Sequence, residues 1–542
     1  MIKHFNNPFR YSPHPLVIQA SKEIISRIDK FCEDAVTNEE KAIAKGFSEG
    51  KMLGVLIAVS SPVISSERSE SRYLPLFAFS GSVGNCSCIE GFVPPIYDLL
   101  NPDGHFKIKE AEITSLNQEI SALQSSEEYK TLKKSLSSAE SQRESEIEAM
   151  RSKMATSKQE RNRRRAEGDD TSELTRESQF EKAELKRLKA SWESRIDEIR
   201  KKLCEFTEKV AALKRQRAEM SDELQEWIFR QYRVHNALGE ESSIYDIFAA
   251  NGLTPPGGTG DCAAPKLLEY AYRNNLKPLA MGEFWYGTSP DTAVRTHGHF
   301  YPSCTSKCGP LLGYMLRGLE CEDVSVTHGN PTIIYEDDAV IAVSKPSGMP
   351  SVPGLDGKQS ALEWLKEDLH VVHRLDMDTS GVILYAKTEE AAVNLRKQFE
   401  QHSIRKTYIA RLCPASMPSY DHSLNEGCSG RISLPLGPDY DERPRQKADF
   451  KQGKEAITDY KVLSERNDGT IDIEFSPITG RTHQLRVHSA HHLGLGHPIL
   501  GDLLYGGCNT GEARLHLHAQ KIEFVHPLSG QTIIIESSEN RF

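Results

Sequence analysis

The chain has 542 residues, 38% of them hydrophobic and 27% charged, which suits two to four soluble domains better than one. A net charge of −10 argues against a protein that coats nucleic acid through bulk charge, while leaving room for a local basic groove. The first residues, MIKHFNNPFRYSPHP, lack the apolar core of a signal peptide, and the longest apolar run, Met52 to Val59, is too short to cross a bilayer. Eleven cysteines in such a chain predict reduced thiols or metal ligands rather than a disulfide framework, with the cytoplasm as compartment and no membrane partner.

Residues 1–105 read as a mixed region. A helical start, QASKEIISRIDKF, leads to strand-like GVLIAV and then to the turn-rich FAFSGSVGNCSCIEGFVPP. From 106 to 235 the composition shifts to Glu, Lys, Arg, Ser and Leu without proline. Ile113, Leu116, Ile120 and Leu123, and later Leu185 through Leu213, recur three and four apart, which is coiled-coil spacing. The pattern stops at RNRRRAEGDD, where Gly168 permits a turn, so a long antiparallel coiled-coil hairpin is expected. Basic residues crowd that turn: Arg151, Lys153, Lys158, Arg161, Arg163, Arg164 and Arg165 have only Glu160 among them. Such runs are more often solvated helix surface than binding sites. An arm of about 50 residues spans roughly 75 Å, however, so the Arg161–Arg165 tip is a candidate second RNA contact.

Residues 236–325 return to a globular pattern, so the hairpin is expected as an insertion in an N-terminal α/β region built from both flanks. This part holds Cys262, His297, His299, Cys304 and Cys308. Cysteine and histidine ligate zinc, and YPSCTSKC loosely resembles a deaminase zinc turn. The spacing is C-x₃-C, though, and no His-x-Glu partner is evident, so buried free thiols are the expectation. Cys262, Cys304 and Cys308 stand as the metal candidates.

Residues 326–542 alternate strands and short helices. PTIIYEDDAVIAVSKP, VILYAKT, KTYIARL, ITDYKVL and IDIEFSPI are the strand candidates. In VVHRLDMDTSG, Asp376 stands on a loop two residues after Arg374 and just ahead of the apolar run VILYA. In RKTYIARL, Lys406 and Tyr408 share one strand face. PITGRTHQLRVH brings Arg481, His483, Gln484, Arg486 and His488. A carboxylate, a phenol and several arginines suit a nucleophile working on an anionic, aromatic substrate, and RNA fits that description. Asp378-Thr379-Ser380-Gly381 has the look of an aspartic-protease turn, but no second such element supplies the paired carboxylate.

HRLDMDTSG, the KTY motif, GRTHQLRVH, HPILGD and LHLHAQKIEFVHP, in that order, resemble the RluA family of RNA pseudouridine synthases. The match extends upstream to YEDDAVIAVSKPSGMPSVPG. It covers about residues 331–538 and leaves 1–325 without a reading. The resemblance implies an α+β catalytic domain with a mixed, largely antiparallel sheet and a central cleft. It implies Asp376 as catalytic carboxylate, Tyr408 as the ring stacking on the target uracil, and Arg486 as the basic residue pairing with Asp376. Arg374 is implied as the residue displacing the flipped base, with His373, Lys406 and Arg481 as further RNA contacts. The implied reaction uses no metal or cofactor, and its substrate is large-subunit rRNA, tRNA or both. The rival is a non-catalytic RNA-binding or ribosome-assembly factor.

Overall fold

The computed structural model describes residues 2, 4–9, 12–60, 73–101, 103–322, 329–354, 358–414, 424–440, 442–506 and 514–537; the expected boundary at 325/326 lies outside them. The chain forms two compact units, one made of Met1–Asp98 with Phe229–Phe542 and the other of Leu99–Ile228. Among the described residues no helix is long and apolar enough to cross a membrane.

In the first unit the chain opens with the helix Pro15–Asp34. Pro15 stands where a missing N–H costs nothing, and the His14 ring accepts from the Leu16 N–H. Val17, Ala20, Ile24 and Ile28, three and four apart, form its buried stripe. That stripe packs on a sheet ordered Tyr73–Phe79, Lys51–Ser60, Leu276–Tyr286, Phe300–Tyr301, so the sheet takes strands from both flanks of the helical segment. Every pair in it is antiparallel, which makes the region α+β rather than the expected α/β. The sequence pattern marks helix and strand content, whereas strand direction depends on how distant segments meet.

The second unit is helical: His105–Ser125, Glu127–Glu167 and Thr171–Gln231, the last running past the unit's edge. Ser126 breaks the first arm in an extended conformation and caps the next helix by accepting from Tyr129 N–H. Gly168, at φ 96°, ends that helix in the left-handed region that glycine tolerates best. Trp192 Nε1 donates to Glu146, Arg200 pairs with Glu140 and Arg161 with Glu181, so the last two helices run antiparallel. Ala139, Trp192 and Ile196 form their small buried core.

The C-terminal part of the first unit is a ten-stranded sheet. Its order is Ser429–Ser433, Ile457–Glu465, Ile471–Pro477, Arg405–Leu412, Leu517–Val525, Ser380–Ala386, Val340–Lys345 and Thr332–Glu336. Thr532–Glu536 adds to Leu517–Val525, and His370–Val371 to Ser380–Ala386. PTIIYEDDAVIAVSKP becomes two strands, because the Asp337 carboxylate accepts from the Ala339 and Val340 N–H groups and turns the chain. Val340–Lys345 and Ser380–Ala386 are buried along their whole length, as central strands covered on both faces must be. One pairing is parallel, with Gly381 opposite Ala519. Gly381 has φ +109°, and a Cβ there would stand 2.2 Å from the Ala519 carbonyl oxygen. Only glycine lets the two backbones come this close where the Asp376 loop enters its strand.

Candidate active site

The loop Val372–Thr379 leads into the buried strand Ser380–Ala386, so its geometry is inherited from a rigid element. A second segment, Lys345–Ser351, clamps it from the other side. Ser351 Oγ donates to Leu375 O at 2.8 Å and accepts from Leu375 N–H, while Tyr385 OH donates to Ser351 O. Ser347 Oγ donates to Asp378 O at 2.6 Å, and the Thr379 N–H closes the turn onto Asp376 O. Lys345 is fully buried, and its Nζ donates to the carbonyls of Pro346, Met349 and Met377. Burial draws its ammonium down to about 7, against the pull of Asp378 and Asp376.

Sequence reasoning missed Lys345, Ser347 and Ser351 as parts of the site. The available signal was a lysine closing an otherwise apolar strand, VIAVSK, directly before the Pro-Ser-Gly turn. A cation in that position needs a dense set of acceptors, and the carbonyls of the loop supply them.

Asp376 is half-buried and lines a cleft of about 880 Å³ together with Arg374, Lys406, Tyr408, Arg481 and His483. Lys406 and Tyr408 both reach it although the strand's register shifts between Thr407 and Tyr408. The Tyr408 phenol is pushed above its usual value by burial and by the nearby Asp376 charge, so it stays protonated. Burial lowers the Lys406 ammonium to about 8, and its Nζ lies 5.9 Å from the centre of the Phe399 ring. Arg374 is exposed at the rim. The Arg481 loop is fixed by Gln484, whose Oε1 accepts from Arg481 N–H and Thr479 Oγ1.

His373 and Arg486 have partners that the sequence does not show. His373 stacks on Phe399, its Nε2 accepts from Leu384 N–H, and burial lowers its pKa to about 3. It braces the strand after the loop in its neutral form and also lines the Asp376 cleft. Arg486 does not pair with Asp376. It lies on the short helix Gln484–Ala490, fully buried, and spends Nε and one terminal nitrogen in a bidentate bond to Asp502 at 2.8 and 2.7 Å. Burial opposes the guanidinium's charge, but Asp502 and, less strongly, Asp376 more than offset it. The reason is topological: the Ile499–Tyr505 turn lies against that face of the helix, and Asp502 also accepts from the N–H groups of Leu504 and Tyr505.

The cysteine candidates divide. Cys262, Cys304 and Cys308 come together as free thiols, whereas His297 and His299 stay outside the group. Among the described residues Cys413 is disulfide-bonded and the other nine cysteines are free.

The RNA pseudouridylate synthase family model matches residues 339–491, which span both the Asp376 loop and the Arg486 helix. The dual-specificity RNA pseudouridine synthase RluA of Yersinia pestis is 42% identical over 205 residues, 36% of this chain and 94% of that protein. The enzyme of the same name from Escherichia coli strain K12 is 40% identical over 212 residues, covering 38% and 91%. The solved structure of human RNA pseudouridylate synthase domain containing 1 is 26% identical and covers 40% of this chain and 85% of that one, with a TM-score of 0.32. With nearly the full length of these enzymes spanned at such identity, the chain belongs to the RluA-type RNA pseudouridine synthases and carries their isomerase domain in its C-terminal region.

Proposed function

We propose that the enzyme converts specific uridines to pseudouridine in large-subunit rRNA, tRNA or both, with Asp376 as the catalytic carboxylate. The observation that carries this reading is the clamped loop that holds Asp376 in the cleft opposite Tyr408. In the proposed reaction the target uridine leaves its stack, at roughly a few kcal/mol, and its base packs on the Tyr408 ring. Arg374, at the rim, fills the space the base leaves. The N1–C1′ glycosidic bond breaks, the base turns, C5 bonds to C1′, the C5 proton leaves to solvent and N1 takes up a proton, so no net atom is gained or lost. Asp376 takes part in ionised form. Lys406 and Arg481 grip the RNA backbone, and Arg486 acts through its bond to Asp502, stiffening the wall of the site.

We read residues 326–542 as the catalytic domain, and 1–105 with 236–325 as a second globular part interrupted by a coiled-coil hairpin at 106–235. The turn of that hairpin is a second RNA contact in this reading, and the predominance of free thiols elsewhere in the chain favours a cytoplasmic enzyme. Arg161 is buried against Glu181, and Arg163 and Arg164 have carboxylate partners, so the exposed Arg165 supports the contact most.

Tritium release from uridine-C5-labelled rRNA and tRNA tests the central claim. Asp376→Asn should keep the native circular dichroism and RNA affinity while losing at least about a thousandfold in rate. A rate within about tenfold of wild type would remove Asp376 from the chemistry. Wild-type protein that binds both RNAs without releasing tritium would instead describe a non-catalytic assembly factor.

A further inference from the structure

Three thiols from two separate segments converge beside a cavity whose lining also includes Met377, Asp378, His483 and Arg486. Cys262 directly precedes the helix Ala263–Arg273, while Cys304 and Cys308 flank the turn before Gly309–Met315. Their sulfur atoms all lie within 4.8 Å of one another. In a tetrahedral zinc site, Zn–S bonds of about 2.3 Å set the sulfurs about 3.8 Å apart, so a small inward shift closes the triangle. The N–H groups of Lys307 and Cys308 point at the Cys304 sulfur, the outer hydrogen bonds that orient a thiolate ligand. The N-terminus of the eleven-residue helix behind Cys262 favours the extra negative charge of a three-thiolate complex.

The surroundings leave one side of the triangle open. The three cysteines line a cavity of about 640 Å³, and Glu283 lines it too. Glu283 is buried on the central strand Leu276–Tyr286 and accepts hydrogen bonds from residues close to Cys262 and Cys304. The Ala264 N–H donates to Oε1 at 3.1 Å and Ser303 Oγ to Oε2 at 2.5 Å. A carboxylate fixed this way, beside soft ligands and a cavity, matches the layout of zinc sites that keep a fourth position for water.

We infer that Cys262, Cys304 and Cys308 bind one Zn²⁺ whose fourth position faces the cavity and carries water, with Glu283 as hydrogen-bond partner of that water. Three soft sulfur donors select zinc over hard cations. As the ion enters, the three thiol protons leave to solvent, and the complex carries one net negative charge. None of the three cysteines, nor Glu283, lines the Asp376 cleft, so zinc content and tritium release are separate readouts and failure of one does not decide the other.

Metal analysis of the full-length protein, purified under reducing conditions and dialysed after zinc incubation, tests the site. The expected content is about one zinc per chain. Cys304→Ser and Cys308→Ser should each drop it to below about one tenth, while Cys88→Ser keeps it whole. Should either serine variant fail to fold, the wild-type protein decides alone: organomercurial titration of its thiols should release the zinc in step with about three equivalents consumed. Glu283→Gln should retain zinc; its loss would mean that the carboxylate closes the fourth position and would overturn the open site. Wild-type protein without zinc, or serine variants that keep it, would overturn the binding site itself.

Discussion

Arg486 and Asp502 carry the sharpest consequence at the scale of single residues. Both are buried, and each is the other's main compensation. Arg486→Met leaves a carboxylate uncompensated in the core, which costs about 3–5 kcal/mol, whereas Arg486→Met with Asp502→Leu removes both charges and should recover most of that loss. Urea denaturation of the two variants checks this; a single variant within about 1 kcal/mol of wild type would show the pair to be dispensable. The pH sign follows from Asp502. Burial raises its carboxyl, but Arg486 holds it below the ordinary value on balance. The pair's contribution is therefore present above the unfolded carboxylate pKa of about 4 and is lost as pH falls through the folded one. Wild type should lose this part of its stability on acidification, and the double variant should not.

Among the elements, the helical unit separates surface charge from binding. The helix Thr171–Gln231 has 61 residues, about 90 Å at helical rise, with few buried side chains along its pair. Arg161 belongs to the packing of the two helices through Glu181, so replacing it tests stability rather than RNA contact. Arg163→Gln with Arg165→Gln leaves that buried pair alone. The double variant should weaken binding to a large rRNA fragment severalfold and lower the slope of log K against log salt by about one to two. Modification of a short stem-loop should proceed at the wild-type rate. Identical salt slopes for variant and wild type would reduce the basic turn to solvated helix surface.

Across the whole molecule, buried histidines set the response to acid. His299, His483, His488 and His491 are buried, and each is lowered to about 4, with desolvation as the leading cause. Their unfolded value is near 6.5, so between about 6.5 and 4 the unfolded chain binds protons that the folded one refuses. Stability then rises with pH across that window and is fully present above 6.5. At pH 5.5 each histidine costs roughly 1 kcal/mol relative to pH 7.5. Thermal denaturation at the two pH values should give a clearly lower midpoint at 5.5, and His488→Gln should reduce the difference. His488 suits the test because Thr458 Oγ1 and Leu434 O meet its ring nitrogens, an environment an amide can share. Equal midpoints would mean that these rings accept protons in the folded state.

The family, the Asp376 loop and the Lys406–Tyr408 face were legible in the sequence because each is local. HRLDMDTSG is one turn on one strand, and residues two apart on a strand share a side whatever the strand packs against. The same holds for the Gly168 turn. Tertiary structure alone decided the partners. Arg486 meets Asp502 sixteen residues on, Lys345 meets the Met377 carbonyl from the neighbouring strand, and Cys262 meets Cys304 and Cys308 from a separate segment. Strand direction in the N-terminal sheet and the neutral state of His373 belong with them. Periodicity reports which side of an element faces a core. Which charge, carbonyl or sulfur waits there depends on segments the chain brings together only when it packs, and burial then fixes the protonation states.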